Sequence, residues 1–266
     1  MIFGRPGGQI SGAAILPGEL QVHAKTQIAV PVFLNPRARR NAPWTPAQDA
    51  ILNDSGLDAA RETISAWSNY APTPLHNLQC LAAEIGVQQI LYKDESSRFG
   101  LGSFKALGGA YAVTRLLRSE VSARLGREVS MDEITGCAHP ELAAAITVTC
   151  APDGNHGRSV AWGAQTYGCD CVIFIPATVS EGRKSAIEKF GAEVRRTSGN
   201  YDDSVREAEE SARREGWFVV SDTSYPGYVD IPKDVMQGYE LMAEEAFSAI
   251  EAPPSHILLQ TGVGGM

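Results

Sequence analysis

The sequence has little of what marks membrane proteins or nucleic-acid-binding proteins. It contains no apolar run close to the roughly 20 residues that a membrane-spanning helix needs. Its 23 basic residues are outnumbered by 31 acidic ones, which gives a formal net charge of −8 at pH 7. Such a balance argues against nucleic acid or an anionic membrane surface as the main partner. We therefore expect the main partner to be a small molecule.

Cysteine is scarce, and its spacing argues against two kinds of site. The five cysteines are odd in number and include no CxxC pair, so neither a disulfide framework nor a four-ligand zinc site is indicated. Cys169 and Cys171 are separated by one residue, whereas paired zinc ligands have about two to four residues between them. We interpret both as strand-edge residues and predict no metal.

The N-terminal segment lacks the features of a secretory signal. Its first residues, MIFGRPGGQISGAAILPGELQ, have no basic start followed by an unbroken apolar core. We therefore expect a cytoplasmic protein. Residues 1–45 are rich in Pro, Gly and Arg and show weak periodicity, which predicts an irregular arm.

From residue 45 onward, segments with helical periodicity alternate with short apolar runs. The runs are rich in β-branched residues and have strand length. This alternation predicts an α/β fold with mainly parallel sheets and right-handed crossovers. The predicted strands are 89–95, 146–150, 171–176, 193–197, 217–222 and 256–262. The predicted helices are 45–56, 57–70, 105–121, 156–168, 181–192, 201–216 and 234–250.

The first motif that suggests chemistry is KDESSRFGLGSFKALGG, residues 93–109. It places Lys105 where a Gly- and Ser-rich loop enters a helix. A lysine that forms a Schiff base must be partly desolvated and rigidly held, so that its amine can act as a nucleophile and later as a base. A lone SxK motif fits a solvated lysine in a first helical turn better than a Schiff-base lysine, so this interpretation depends on the other motifs.

The second motif is CAPDGNHGRSVAWGA, residues 150–164, where a strand ends in a loop that enters a helix. Small residues let a ligand approach the backbone, exposed N–H groups can bind a carboxylate, and the Asn155 amide can bond a phenolic oxygen. An ordinary strand–turn–helix capped by Asp153 or Asn155 is the alternative. His156 alone fits a structural turn residue better than a catalyst.

The third motif is LLQTGVGG, residues 258–265, which follows the last predicted strand. Three glycines in four residues suit a phosphate-binding turn, although such turns are common in α/β folds. The order of the three motifs along the chain is more informative than any one of them.

The three motifs in this order resemble those of the fold-type-II pyridoxal 5′-phosphate (PLP) enzymes, the tryptophan-synthase β-like superfamily. Within it the chain is most similar to the diaminopropionate ammonia-lyases, and the resemblance extends from Thr73 to the last residue. It implies PLP as the cofactor, held by Lys105 as a Schiff base. It also implies that Asn155 bonds the pyridoxal 3′-oxygen and that the phosphate is held by Gly262, Val263, Gly264 and Gly265.

The resemblance also implies a domain organisation. Residues 46–103 would begin a large PLP domain, 104–225 would form a small α/β domain, and 226–266 would return to the large domain and end at the phosphate loop. The sequence stops at TGVGGM, where such a fold would continue into a helix. We therefore expect an N-terminal portion of a longer protein, truncated at the C-terminus, and the resemblance implies a homodimer.

Two details favour an ammonia-lyase over the serine and threonine dehydratases that the chain also resembles. Those enzymes carry a serine-containing SxGN loop where this chain has PDGN, and Arg-Gly-Ala follows their lysine where this chain has Leu-Gly-Gly. An aspartate beside a bound carboxylate makes sense if the substrate brings a second ammonium or the site needs a second base. By resemblance, Asp153 takes the proton from the D-isomer of the substrate and Lys105 from the L-isomer. Asp222 matches another acidic residue of that family's site, although a turn or cap aspartate fits the sequence equally well.

The expected activity is the α,β-elimination of 2,3-diaminopropionate to pyruvate and ammonia. One alternative is a serine/threonine dehydratase or a β-replacing synthase of the same fold. Another is a non-catalytic, truncated remnant. A third is a nucleotide-binding α/β protein, against which the sequence shows no GxGxxG that opens a helix after its first strand.

Overall fold

The described residues form two four-stranded sheets. The computed structural model describes residues 2–6, 33–39, 41–151, 154–260 and 266, and within these ranges there are eight strands. They are β1 (Ile2–Pro6), β2 (Leu75–Asn77), β3 (Val87–Lys93), β4 (Thr147–Cys150), β5 (Asp170–Pro176), β6 (Glu193–Thr197), β7 (Phe218–Val219) and β8 (His256–Leu258). All six predicted strands are present, and β1 and β2 are additional.

The helices lie between these strands. In the described ranges they are α1 (Pro46–Asp49), α2 (Asp54–Ser65), α3 (Gln79–Ile85), α4 (Lys105–Leu125), α5 (Met131–Thr135), α6 (Pro140–Ala144), α7 (Asn155–Tyr167), α8 (Glu181–Glu188), α9 (Tyr201–Glu215) and α10 (Asp230–Ser248). A 3₁₀ turn occupies Arg98–Gly100. None of the described helices is both long enough and apolar enough to cross a membrane.

One sheet is parallel, as the sequence predicts. Its strand order is β6-β5-β4-β7, and every neighbouring pair runs parallel. Nearly every residue of the central strand β5 is buried, because helices cover both faces of a parallel sheet. Val148, Cys150 and Ile173 pack on one face in the same core as residues of α4, α7 and α10. Val172 and Phe174 pack on the other face with Ala208 of α9.

The other sheet differs from the predicted parallel arrangement. Its order is β2-β3-β1-β8, and its described pairs are all antiparallel. The difference arises because β1, from the N-terminal segment, lies between β3 and β8. The weak periodicity of residues 1–45 does not predict this strand. The α/β fold class is confirmed, whereas the division into two domains stays a prediction.

Glycines allow α4 and α10 to cross at close range. A Cβ added to Gly108 would lie 2.3 Å from the ring of Tyr239 and 2.6 Å from the carbonyl oxygen of Val235. A Cβ added to Gly238 would lie 2.4 Å from the carbonyl oxygen of Leu107. This crossing holds α10 against the N-terminal part of α4, which begins at Lys105.

The crossing gives a testable prediction. Gly238→Ala is expected to lower the free energy of unfolding by about 1–3 kcal/mol, because the new methyl group would meet backbone rather than a movable side chain. Gly182→Ala in α8 is the control, since its added Cβ would have no heavy atom of another described element within 4 Å. Urea unfolding of both variants measures the difference. Equal stability of the two would show that the crossing tolerates a side chain.

Candidate active site

The candidate site lies where the strand order of the parallel sheet reverses. The chain runs from β4 outward to β5 and β6, and then returns to place β7 on the other side of β4. The loops after β4 and β7 therefore leave the carboxyl edge of the sheet in different directions, and such a switch point is where α/β folds bind ligands. Asn155 begins the helix after β4, and Asp222 lies three residues beyond the end of β7.

Lys105 and Asp222 meet at this edge. Lys105 is the first residue of α4, and its Nζ donates a hydrogen bond to Oδ2 of Asp222. The side chain of Lys105 is 21% exposed and that of Asp222 is 6% exposed, so solvent reaches the pair mainly at Lys105. The Nζ also lies 5.6 Å from the ring centroid of Phe104 and 5.3 Å from that of Tyr239. A partly desolvated and firmly held amine is what the sequence motif predicts for Lys105.

His156 packs behind this pair. Its Nε2 donates to the carbonyl oxygen of Val220 at 2.9 Å, and its Nδ1 lies 3.9 Å from Oδ2 of Asp222. The ring is buried, and Nδ1 has no hydrogen-bond partner among the described residues. His156 therefore ties the start of α7 to the segment that carries Asp222. From the sequence alone, His156 is interpreted as a structural turn residue. Its contact with Val220, 64 residues away along the chain, has no local sequence signal.

The electrostatics favour an ionised Asp222. Burial raises the pKa of this carboxyl, but the charge of His156 when that ring is protonated, together with the hydrogen bond and charge of Lys105, outweighs burial and holds the pKa below its ordinary value. Burial lowers the pKa of His156 despite the nearby Asp222, so the imidazole is neutral near pH 7. Lys105 therefore supplies the positive charge that keeps Asp222 ionised at neutral pH.

A buried cluster of four charged residues fixes the loop that leads to Lys105. Lys93 Nζ lies 2.6 Å from Glu245, and Arg98 Nη2 lies 2.7 Å from both Glu95 and Glu245. The Lys93 and Arg98 side chains are each only 1% exposed. Carbonyl oxygens of Ala71 and Thr73 accept further hydrogen bonds from the two cations. The cluster joins β3, the loop before α4, and α10.

The cluster gives a second prediction. Glu245→Gln is expected to cost about 3–5 kcal/mol of unfolding free energy at pH 7, because it leaves two buried cations with one carboxylate. Burial raises the pKa of Glu245, but Arg98 and Lys93 outweigh burial and hold it below its usual value. The native carboxylate therefore stabilises the fold above the unfolded-state pKa, and this stabilisation is lost as the pH falls through the folded-state pKa.

Denaturant unfolding at several pH values tests this prediction. The gap between wild type and variant should be largest at neutral pH and should narrow in acid. Glu128→Gln is the matched control, since Glu128 pairs with Arg118 at a solvent-exposed position and such pairs contribute little to stability. A gap that stays constant with pH would contradict the role assigned to the Glu245 charge.

The residues present fit a PLP group beside Lys105. Among the described residues no heavy atom beyond its chain neighbours lies within 4 Å of a Cβ built on Gly154, so Gly154 borders open space in that part of the chain. The Asn155 side chain is exposed at the start of that helix. Together with the partly exposed Lys105 amine, this leaves room and suitable polar groups for a planar aromatic ligand. Asp153 and the predicted phosphate loop, Gly262–Gly265, lie outside the described residues. The described part of the chain contains no group of three or more His, Cys, Asp or Glu side chains placed to hold a metal ion.

Known proteins resemble this chain in both sequence and structure. A diaminopropionate ammonia-lyase from Escherichia coli K12 is 42% identical over 219 residues, which is 81% of this chain and 54% of that protein. A crystal structure of the E. coli diaminopropionate ammonia-lyase in complex with D-serine matches with a TM-score of 0.75 and 40% identity, over 84% of this chain and 56% of that one. A serine dehydratase-like protein from Rattus norvegicus is 26% identical over 78% of this chain and 53% of that protein.

The chain thus spans about half the length of the curated relatives it matches. Residues 66–266 match the sequence pattern of the pyridoxal-phosphate dependent enzymes. This range includes β3, the whole parallel sheet, and both members of the Lys105–Asp222 pair. The chain therefore belongs to the family of pyridoxal-phosphate dependent enzymes.

Proposed function

We propose that this chain carries the amine base and the acidic side chains of a PLP-dependent lyase that converts 2,3-diaminopropionate to pyruvate and ammonia. The observation that carries the proposal is the pairing of Lys105 Nζ with Asp222 at the switch point of the parallel sheet. The 42% identity to a diaminopropionate ammonia-lyase, against 26% to a serine dehydratase-like protein, supports the substrate.

The reaction sets the tasks of the protein. PLP supplies a carbonyl that condenses with an amine and a ring that withdraws electrons from the α-carbon. Loss of the α-proton and of the β-amine leaves 2-aminoacrylate, which takes up water to give pyruvate and a second ammonia. The protein must therefore place a base at the α-carbon and let the β-amine leave protonated.

Lys105 and Asp222 suit the first task. When the Lys105 amine takes the α-proton it becomes an ammonium, and the ionised Asp222 carboxylate stabilises that charge at hydrogen-bond distance. The flanking rings of Phe104 and Tyr239 restrict the motion of the amine. Lys105 is thus the proposed base for one face of the substrate, and Asp222 is the proposed group that stabilises its charged form.

The loop before α7 and the last glycines complete the proposal. Asp153 is the proposed base for the opposite face, and Asn155 the proposed partner of the phenolic oxygen of PLP. Gly262, Val263, Gly264 and Gly265 are the proposed phosphate-binding turn. Their support is the motif order and the similarity of this chain to the ammonia-lyases. For Asn155, its exposed place at the start of a helix on the site edge adds to this support.

Substrate competition tests the function. The protein at its full encoded length is expected to form pyruvate from 2,3-diaminopropionate with a higher kcat/KM than from L-serine or O-acetyl-L-serine. Pyruvate release can be followed by coupling to lactate dehydrogenase. Preference for serine would identify a dehydratase, and consumption of O-acetylserine with a thiol and no pyruvate would identify a β-replacing synthase. No turnover, and no absorbance band of a protein-bound Schiff base after free PLP has been removed, would indicate a non-catalytic protein.

The assembly and location are also proposals. We propose a homodimer, which rests on the family resemblance, and a cytoplasmic location. Sedimentation equilibrium of the full-length protein with PLP tests the assembly, and a mass of one subunit would contradict it.

A further inference from the structure

The segment that carries Asp222 is held by a tyrosine from the following turn. The Ser221 N–H donates to the hydroxyl oxygen of Tyr228 at 2.9 Å, and the Tyr228 hydroxyl donates to the carbonyl oxygen of Val219 at 2.8 Å. One hydroxyl thus satisfies a donor and an acceptor on either side of Val220. Asp222 follows directly after the Val219–Ser221 segment that these hydrogen bonds hold.

Two further hydrogen bonds restrict the backbone of the Val219–Ser221 segment. The Val220 N–H donates to the carbonyl oxygen of Thr149 at 2.8 Å, and the Val220 carbonyl accepts from His156. The strand β7 has only two residues, so ladder bonds alone cannot hold the residues beyond it. Tyr228 supplies the partner of the Ser221 N–H, in the residue that directly precedes Asp222.

A tight turn presents the Tyr228 ring. Backbone bonds join Tyr225 and Tyr228 in both directions, at 3.2 and 2.9 Å. Pro226 and Gly227 occupy the corner, and Gly227 has φ +87°, which suits the third position of a type II turn. The ring of Tyr225 stacks on that of Tyr228 with centroids 4.9 Å apart. The turn and the stacked Tyr225 ring therefore fix the position of the Tyr228 hydroxyl.

We propose that Tyr228 is a positioning residue for Asp222, whose hydroxyl fixes the Val219–Ser221 backbone so that the carboxylate stays against Lys105. The inference rests on the proposed function only in its prediction that changing Tyr228 lowers turnover. The effect of Tyr228 on the Lys105–Asp222 contact can be tested without that function.

Two measurements on the cofactor-free protein test the contact. In Tyr228→Phe, hydrogen exchange of the amides at 221–223 is expected to rise about tenfold, with α9 unchanged, because the ring stays but its two hydrogen bonds are lost. Competitive labelling with acetic anhydride is expected to modify Lys105 faster in Tyr228→Phe, approaching the rate in Asp222→Asn. Tyr225→Phe, which keeps the stacked ring and both backbone bonds, should match wild type. Wild-type exchange or wild-type Lys105 labelling in Tyr228→Phe would overturn the proposal.

Turnover separates positioning from general stabilisation. Tyr228→Phe is expected to lower kcat by about 10- to 100-fold, the scale of a small misplacement of a catalytic group, with little change in KM. In the Asp222→Asn background the same change should lower kcat by no more than about twofold, because a residue that acts through Asp222 has nothing left to position. Independent, multiplying losses would overturn the proposal. If wild type does not consume 2,3-diaminopropionate, the proposed function fails, and the two cofactor-free measurements still decide the role of Tyr228.

Discussion

Lys105→Ala is expected to reduce pyruvate formation from 2,3-diaminopropionate by at least ~10³-fold, the scale on which loss of a covalent nucleophile reduces turnover. The variant removes both the amine that would bind PLP and the proposed base. It should also lose the covalent attachment of PLP altogether. Borohydride reduction of the PLP-loaded protein, followed by peptide mapping, is expected to place the label on Lys105 in wild type and on no lysine in the variant.

The structure explains why Lys93 and Lys184 cannot substitute for Lys105. Lys93 is buried and bonded to Glu245 and to the carbonyl oxygen of Thr73. Lys184 lies on α8, where it pairs with Glu188 at 3.1 Å, at the far side of the parallel sheet from β7. Lys184→Ala is therefore the matched control and should keep both label and turnover. A reduced label on Lys93 or Lys184 in wild type would refute the assignment of Lys105.

Asp153→Asn is expected to lower kcat/KM for D-2,3-diaminopropionate by about 10² to 10⁴, the usual cost of losing a general base. The L-isomer should be affected much less, because Lys105 would serve the other face. Asparagine keeps the shape of the side chain and its ability to cap a helix, so binding of PLP should be nearly unchanged. Initial rates with each isomer, alongside the absorbance spectrum of the bound cofactor, measure both effects.

The alternative role for Asp153 predicts different numbers. If Asp153 only caps α7, Asp153→Asn should cost at most about 1 kcal/mol of stability and should slow both isomers alike. Such a result would make Asp153 structural. It would also remove the main sequence argument for an ammonia-lyase over a dehydratase.

The sequence predicts the periodic parts of this fold well. Buried runs such as β5 and amphipathic helices such as α9 are recognised because their periodicity is strong and local. The short helices α5 and α6 contain only five residues each, too few for a period to show. The pairing of β1 between β3 and β8 depends on partners more than 80 residues away, which no local pattern encodes.

The candidate site shows the same limit. Lys105 and Asn155 can be found from their motifs, because each motif is a loop entering a helix. The contact between Lys105 and Asp222 spans 117 residues and depends on β7 lying beside β4. Tyr239 follows Gly238 in a helix without any motif, so its ring beside Lys105 has no sequence signal. For the two hydrogen bonds of the Tyr228 hydroxyl, the only sequence signal is the turn sequence YPGY.

The buried charge cluster also has a consequence for folding kinetics. Lys93, Glu95, Arg98 and Glu245 come from a strand, a loop and a distant helix, and any one of them buried without the others would be an uncompensated charge. The loop before Lys105 therefore cannot dock gradually onto a preformed core. It should dock in a single late step, after α10 has reached its place, and Lys105 should acquire its final position only in that step.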